Sequence, residues 1–125
     1  MKKIVVADDS STARMVTRRC LEIIGFAGSK FIQAEDGSQV LKILKEEEVD
    51  FVVSDLNMPV MDGLEMLQQI KSDPKSNLPI LIVSSLINEA KKRELISQGA
   101  FGVLEKPISP NKLARGLKSF LPVNE

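Results

Sequence analysis

A few residues of this chain could do chemistry together, because each stands at the end of a short apolar run. Asp8 and Asp9 follow the run Lys3–Ala7 (KIVVA), and Asp55 follows the run 51–54 (FVVS). Ser84 closes the run 79–84 (PILIVS), and Lys106 comes just after the run 100–104 (AFGVL). Three carboxylates brought together repel one another. At ~4 Å and an effective dielectric of about 20, each pair costs about 4 kcal/mol before relaxation. A cation offsets that cost, and an all-oxygen site of carboxylates and waters suits Mg²⁺, with Mn²⁺ as a substitute. Lys106 adds a second positive group. A carboxylate next to a divalent ion and a lysine can attack a phosphoryl group in line and become an aspartyl phosphate. The metal and the lysine would then stabilise charge on the phosphoryl oxygens. The Ser84 hydroxyl could donate a hydrogen bond to the new phosphate. That bond would exist only in the modified state, which is the differential contact a switch requires.

This chemistry depends on elements that bring the five positions together. Four of the apolar runs are those named above, and 29–34 (SKFIQA) is a weaker fifth. Short runs that are apolar on both faces suit the strands of a parallel sheet covered on both sides. Helical patterns lie between them. In 11–25, Ala13, Val16, Thr17, Cys20, Leu21 and Ile24 follow the spacing of one helix face, with Arg14, Arg18, Arg19 and Glu22 off it. Residues 38–45 carry Val40, Leu41 and Leu44, and 62–72 carry Leu64, Leu67 and Ile70, with Asp62 placed as an N-cap. The stretch 88–98 has only Ala90, Leu95 and Ile96 among many charges, which predicts the most exposed helix, stopped by Gly99. Ser109-Pro110 reads as an N-cap followed by proline at the first helical position; Leu113, Leu117, Phe120 and Leu121 then face inward.

The order is β-α repeated five times, which predicts an α/β fold: a single doubly wound parallel sheet of five strands with helices on both faces. In such sheets the binding crevice lies beyond the carboxyl ends of the strands. The residues singled out above occupy those ends.

Composition excludes several other classes. The 125 residues make one domain, and 17 Lys+Arg balance 17 Asp+Glu. A net charge of zero argues against a coat for nucleic acid or for an anionic membrane. With no His there is no Ser-His-Asp or Cys-His catalysis and no His-rich zinc site. A single Cys excludes an intrachain disulfide and fits a reducing compartment. The N-terminal apolar run is too short for a signal peptide, and no stretch approaches the ~20 apolar residues of a membrane span. The expectation is a soluble cytoplasmic protein.

Asp8-Asp9, the segment 55–63 (DLNMPVMDG), Ser84 and Lys106-Pro107 resemble the receiver domain of bacterial two-component response regulators. The resemblance spans the whole chain, 1–125, and is strongest to the single-domain chemotaxis regulators. It implies a flavodoxin-like strand order of 2-1-3-4-5 and a cis Lys106-Pro107 bond. It implies that Asp55 is the phosphoacceptor, that Asp9 binds Mg²⁺ directly, and that Asp8 does so largely through water. Asn57 would give its backbone carbonyl to the metal, Ser84 would be the switch hydroxyl, and Lys106 would bind the phosphate. It further implies a sensor histidine kinase as phosphodonor and a protein output target such as the flagellar motor switch. A monomer that binds neither DNA nor membrane is expected. It would catalyse only its own phosphorylation and dephosphorylation. Val103 stands where many relatives carry an aromatic residue, three positions before the lysine, and Leu86 stands where the chemotaxis archetype has an acid.

Three other readings fit less well. A flavin protein on this kind of sheet would need a phosphate-cradling loop, and Asp8-Asp9 would repel the phosphate. An aspartate-nucleophile phosphatase needs a second aspartate two positions on, where this chain has Asn57. A receiver-like binding module that is never phosphorylated would have no use for the intact acidic set. A phosphorelay intermediate, or a regulator of a separate effector, remains an alternative output. P-loop hydrolysis is excluded because GxxxxGK[ST] is absent.

Overall fold

The computed structural model describes residues 2–120. Five strands, β1 (Lys3–Ala7), β2 (Lys30–Ala34), β3 (Phe51–Asp55), β4 (Ile80–Ser84) and β5 (Gly102–Glu105), alternate with five helices. The helices are α1 (Ser11–Leu21), α2 (Gly37–Glu46), α3 (Gly63–Lys71), α4 (Glu89–Ser97) and α5 (Pro110–Gly116). All strand pairings are parallel, in the order β2-β1-β3-β4-β5, as the resemblance implies.

Strand side chains alternate between faces, so each central strand feeds two cores. Val5, Ala7, Val52, Ile80, Ile82 and Val103 pack on one face with Val40 of α2, Met66, Leu67 and Ile70 of α3, and Leu95 of α4. Ile4, Val6, Phe51, Val53, Leu81 and Val83 pack on the other with Cys20 and Leu21 of α1, Leu113 of α5 and Leu117 just beyond it. Phe26 meets Phe51 edge-on at 5.4 Å between ring centroids. Such double burial explains why the strands read as continuous apolar runs.

Each helix starts on a side-chain cap. Ser10, Asp36, Asp62, Asn88 and Ser109 accept from the backbone N–H of Ala13, Gln39, Glu65, Lys91 and Lys112. A cap of this kind stabilises by about 1 kcal/mol. The expected caps Asp62 and Ser109 are both in place, with Pro110 opening α5. Gly99 ends α4 region with φ of 110°, where a side chain would be strained.

Several details differ from the sequence reading. The helix expected over 11–25 stops at Leu21 and continues as a wider π-type turn, Glu22–Phe26, around Gly25 at φ 126°. The α1 stripe is narrower than its spacing suggests: Thr17, Cys20 and Leu21 are buried, while Val16 is 45% exposed. The inward face runs through Ala13, Thr17, Cys20 and Leu21, which leaves Val16 on its flank. Met66, not singled out by the periodicity, is fully buried in α3. In α4, Leu95 alone is buried; Ala90 and Ile96 face solvent. This bears out the prediction that α4 is the most exposed helix. The expected inward placement of Phe120 and Leu121 lies outside the described side chains.

Candidate functional site

β1 and β3 are neighbours, with Ala7 in register with Ser54, so Asp8 and Asp55 emerge side by side at the carboxyl edge of the sheet. Asp55 is the last residue of β3 itself and is buried. Asp8 is buried too, whereas Asp9 is exposed at the mouth. One carboxylate oxygen from each of the three lies within 4.8 Å of the others. This is the crowding the sequence predicts.

Lys106 reaches in from the segment after β5. Its Nζ lies 2.9 Å from Asp8 Oδ2 and 3.3 Å from Asp55 Oδ1. The position follows from β5 pairing with β4 and from the Lys106 N–H donating to the Ser84 carbonyl at 2.8 Å. The Lys106-Pro107 peptide is cis. Asp8 is held on its other side: its Oδ1 accepts from the Ser10 N–H at 2.9 Å and its own N–H donates to the Ala34 carbonyl at 3.0 Å.

Burial holds the Asp55 carboxyl above the usual aspartate range, and the nearby Asp8 charge pushes it further the same way; Lys106 and the Leu56 N–H oppose the rise. Burial alone would pull Lys106 down, but Asp8 and Asp55 together outweigh it and leave the ammonium above its ordinary value. A single lysine thus only partly compensates the acidic group. The donor set fits a hard divalent cation: carboxylate oxygens from two strands, an exposed side open to water, and no nitrogen or sulfur ligand.

Ser84 is fully buried at the end of β4, next to this site. Its Oγ lies 3.3 Å from both the carbonyl and the N–H of Leu86, donating to the first and accepting from the second. The hydroxyl itself makes no hydrogen bond to Asp55 or Lys106. Asn57 sits exposed in the loop two residues beyond Asp55. Val60 and Leu86, in the loops after β3 and β4, are 83% and 84% exposed.

The loop after Asp55 is fastened at several points that the spacing does not reveal. The Gly63 N–H donates to the Leu56 carbonyl, and a Cβ at Gly63 would lie 2.7 Å from the Asp55 carbonyl oxygen. The Gly37 N–H donates to the Met61 carbonyl at 2.8 Å, and a Cβ there would meet Met61 at 2.8 Å. Val60 takes a left-handed φ of 66° inside a tight turn closed by Met61 N–H to Pro59 carbonyl. Within this loop Met58 is buried and Met61 half-buried. A glycine directly after a capping aspartate, Gly37 after Asp36 and Gly63 after Asp62, is the trace these close approaches leave in the sequence. Arg14, placed by periodicity on the solvated side of α1, instead donates from Nη1 to the Asp8 carbonyl at 2.6 Å.

Comparison with known proteins agrees with this geometry. The model of the response regulator receiver domain matches residues 4–118. Chemotaxis protein CheY-3 of Vibrio cholerae is 35% identical over 119 residues, which cover 92% of this chain and 88% of that protein. The probable transcriptional regulator ycf27 of Porphyridium aerugineum is 33% identical over 120 residues, covering 96% of this chain but 48% of that longer protein. Among solved structures, chemotaxis response regulator CheY4 of Vibrio cholerae matches with a TM-score of 0.83 at 32% identity, over 97% of this chain and 99% of that one. A receiver domain protein from Clostridium thermocellum matches with a TM-score of 0.81 at 26% identity, over 95% and 93%. By sequence, by strand order and by the company Asp55 keeps, the chain belongs to the response regulator receiver domain family.

Proposed function

We propose that this chain is a phosphorylation-dependent signalling switch that takes a phosphoryl group on Asp55. The observation that carries the reading is the Lys106 ammonium, which touches both Asp8 and Asp55 while Asp9 lies in the same cluster. Asp8, Asp9 and Asp55, with the Asn57 carbonyl, would hold Mg²⁺ or Mn²⁺. The bound cation would neutralise charge on the phosphoryl oxygens during transfer.

The chain's own residues do the rest. An Asp55 carboxylate oxygen attacks phosphorus, a new O–P bond forms, and the bond from phosphorus to the donor's leaving group breaks. Lys106 lies beside the attacked position and balances the added negative charge. The Ser84 hydroxyl leaves its contacts with Leu86 and donates to the phosphate. Since that bond is made only in the modified state, it shifts the loop leading into α4, the least anchored helix. Hydrolysis of the acyl phosphate by water regenerates Asp55. The protein modifies itself and turns over no separate substrate.

A sensor histidine kinase is the proposed phosphodonor, acting in the cytoplasm on a monomeric receiver. The similarity to chemotaxis regulators supports a protein output target of the flagellar-switch kind. Among the described residues, no helix is long and apolar enough to cross a membrane. The test is incubation with Mg²⁺ and acetyl phosphate, followed by intact mass. One phosphoryl group should appear on the wild type and none on Asp55→Ala. Equal labelling of the two removes the acceptor assignment.

A further inference from the structure

We infer that Arg14 is a positioning residue for the acidic pair Asp8-Asp9, and that Gln33 of β2 locks it in that role. The inference rests on the reading of the acidic cluster as a metal site. Arg14 lies one turn into α1, where its backbone N–H donates to the Ser10 carbonyl at 3.0 Å. From there its guanidinium turns back over the start of the helix. Nη1 donates to the Asp8 carbonyl at 2.6 Å, and Nε donates to Gln33 Oε1 at 2.7 Å.

The carbonyl of Asp8 and the N–H of Asp9 belong to one planar peptide unit. Fixing that carbonyl fixes the plane, and with it the N–Cα bond of Asp9 about which the Asp9 side chain is placed. Asp9 needs this help more than its neighbours do. Asp8 is tied by Ser10, Ala34 and Lys106, and Asp55 lies within a strand. Asp9 is exposed and has no side-chain hydrogen bond or ion pair among the described residues, yet its carboxylate must stay with the cluster.

Gln33 is well placed to hold the arginine. It pairs in register with Val6 on β1, two residues before Asp8, so its side chain and the Asp8 peptide are set by the same sheet. The planar fork of arginine lets Nε and Nη1 engage two partners at once; a lysine offers one point of charge and cannot reproduce that geometry. Partners that orient ligands in this way typically change metal affinity by roughly 10- to 100-fold when removed. Among the described residues the guanidinium makes no ion pair within 4 Å of a carboxylate; its contact at the site is with the Asp8 carbonyl.

The experiment is Mn²⁺ binding followed by electron paramagnetic resonance on wild type, Arg14→Met, Arg14→Lys, Gln33→Leu and the Arg14→Met/Gln33→Leu double variant. The Asp9 amide resonance is recorded on each protein without metal. Arg14→Met should weaken Mn²⁺ binding by roughly tenfold, the lower end of that range, and displace the Asp9 amide. Arg14→Lys should recover less than half of the loss. Gln33→Leu should weaken binding less than Arg14→Met, and the double variant should match Arg14→Met alone, since both act through one contact. Unchanged affinity with an unmoved Asp9 amide in Arg14→Met overturns the inference. Full recovery in Arg14→Lys overturns it as well, by reducing the effect to charge. If Arg14→Met does not fold, Gln33→Leu decides by the same two readouts. A wild type that takes up no Mn²⁺ refutes the metal reading instead, and the metal-free Asp9 amide still tests the positioning.

Discussion

Asp36 and Asp55 are equally hidden, each 7% exposed, but the fold treats them in opposite ways. Asp36 caps α2: its carboxylate accepts from the Ser38 hydroxyl at 2.5 Å and from the Gln39 N–H at 2.9 Å. The Ser38 contact chiefly holds its carboxyl below the usual range. Asp55 has the Leu56 N–H and a lysine shared with Asp8, and burial next to another carboxylate lifts it instead. Burial by itself therefore says little about a carboxylate. Where its charge is satisfied by fixed donors the group serves the fold; where satisfaction is incomplete, the group is kept ready for something the fold does not supply.

The comparison can be broken most sharply by chemistry. Asp55→Asn should abolish labelling by acetyl phosphate, while Asp36→Asn should keep it, read by intact mass after equal incubation. A labelled Asp55→Asn, or an unlabelled and folded Asp36→Asn, would erase the distinction. The next largest effect concerns cation linkage. Mg²⁺ at a hundred times its dissociation constant should stabilise wild type and Asp36→Asn by about 2.7 kcal/mol. Asp55→Asn should gain much less, as followed by thermal melting. Third, Asp36→Ala should cost about 1 kcal/mol, as the loss of a helix cap does. Urea unfolding would show whether it instead costs nothing.

The smallest effect is in the pH dependence without metal. Asp36 has a lowered folded-state pKa, so its stabilisation is present above the ordinary aspartate pKa and is lost as pH falls through its folded value. Asp55 has a raised one, so its favourable contribution is present below the ordinary aspartate pKa and is lost as pH rises through its folded value. At neutral pH, Asp55→Asn should therefore melt higher than wild type, with the gain shrinking toward acid. Asp36→Asn should melt lower at neutral pH and converge on wild type in acid. Parallel curves for the two variants would remove the electrostatic contrast.

Much of this was legible in the residues. The five apolar runs, the caps Asp62 and Ser109, the stop at Gly99 and the thin stripe of α4 are local signals, and local physics sets them. The gathering of Asp8, Asp55 and Lys106 followed from the phase of each acid or lysine relative to its strand. What could not be read depends on tertiary approach. Gly63 looks like an ordinary residue after a cap until the Asp55 carbonyl is seen pressed against it. Val16 continues the α1 pattern but lies on the flank of the stripe that Thr17, Cys20 and Leu21 bury. Arg14 reads as a solvated charge because neither the Asp8 carbonyl nor Gln33 is visible in a helical periodicity. Asp36 does not read as a cap because the helical pattern starts at 38, whereas Gly37 opens α2 one residue earlier.

The single buried side chain of α4 has a consequence for the whole molecule. Leu95 gives that helix an attachment of about 2 kcal/mol, against three large buried side chains in α3. A segment held so lightly can detach and re-seat without the sheet coming apart, so its amides would exchange with deuterated solvent at a free-energy cost well below that of global unfolding. Under the proposed switching role, a modest new contact at Ser84 would then act on the helix that costs least to move.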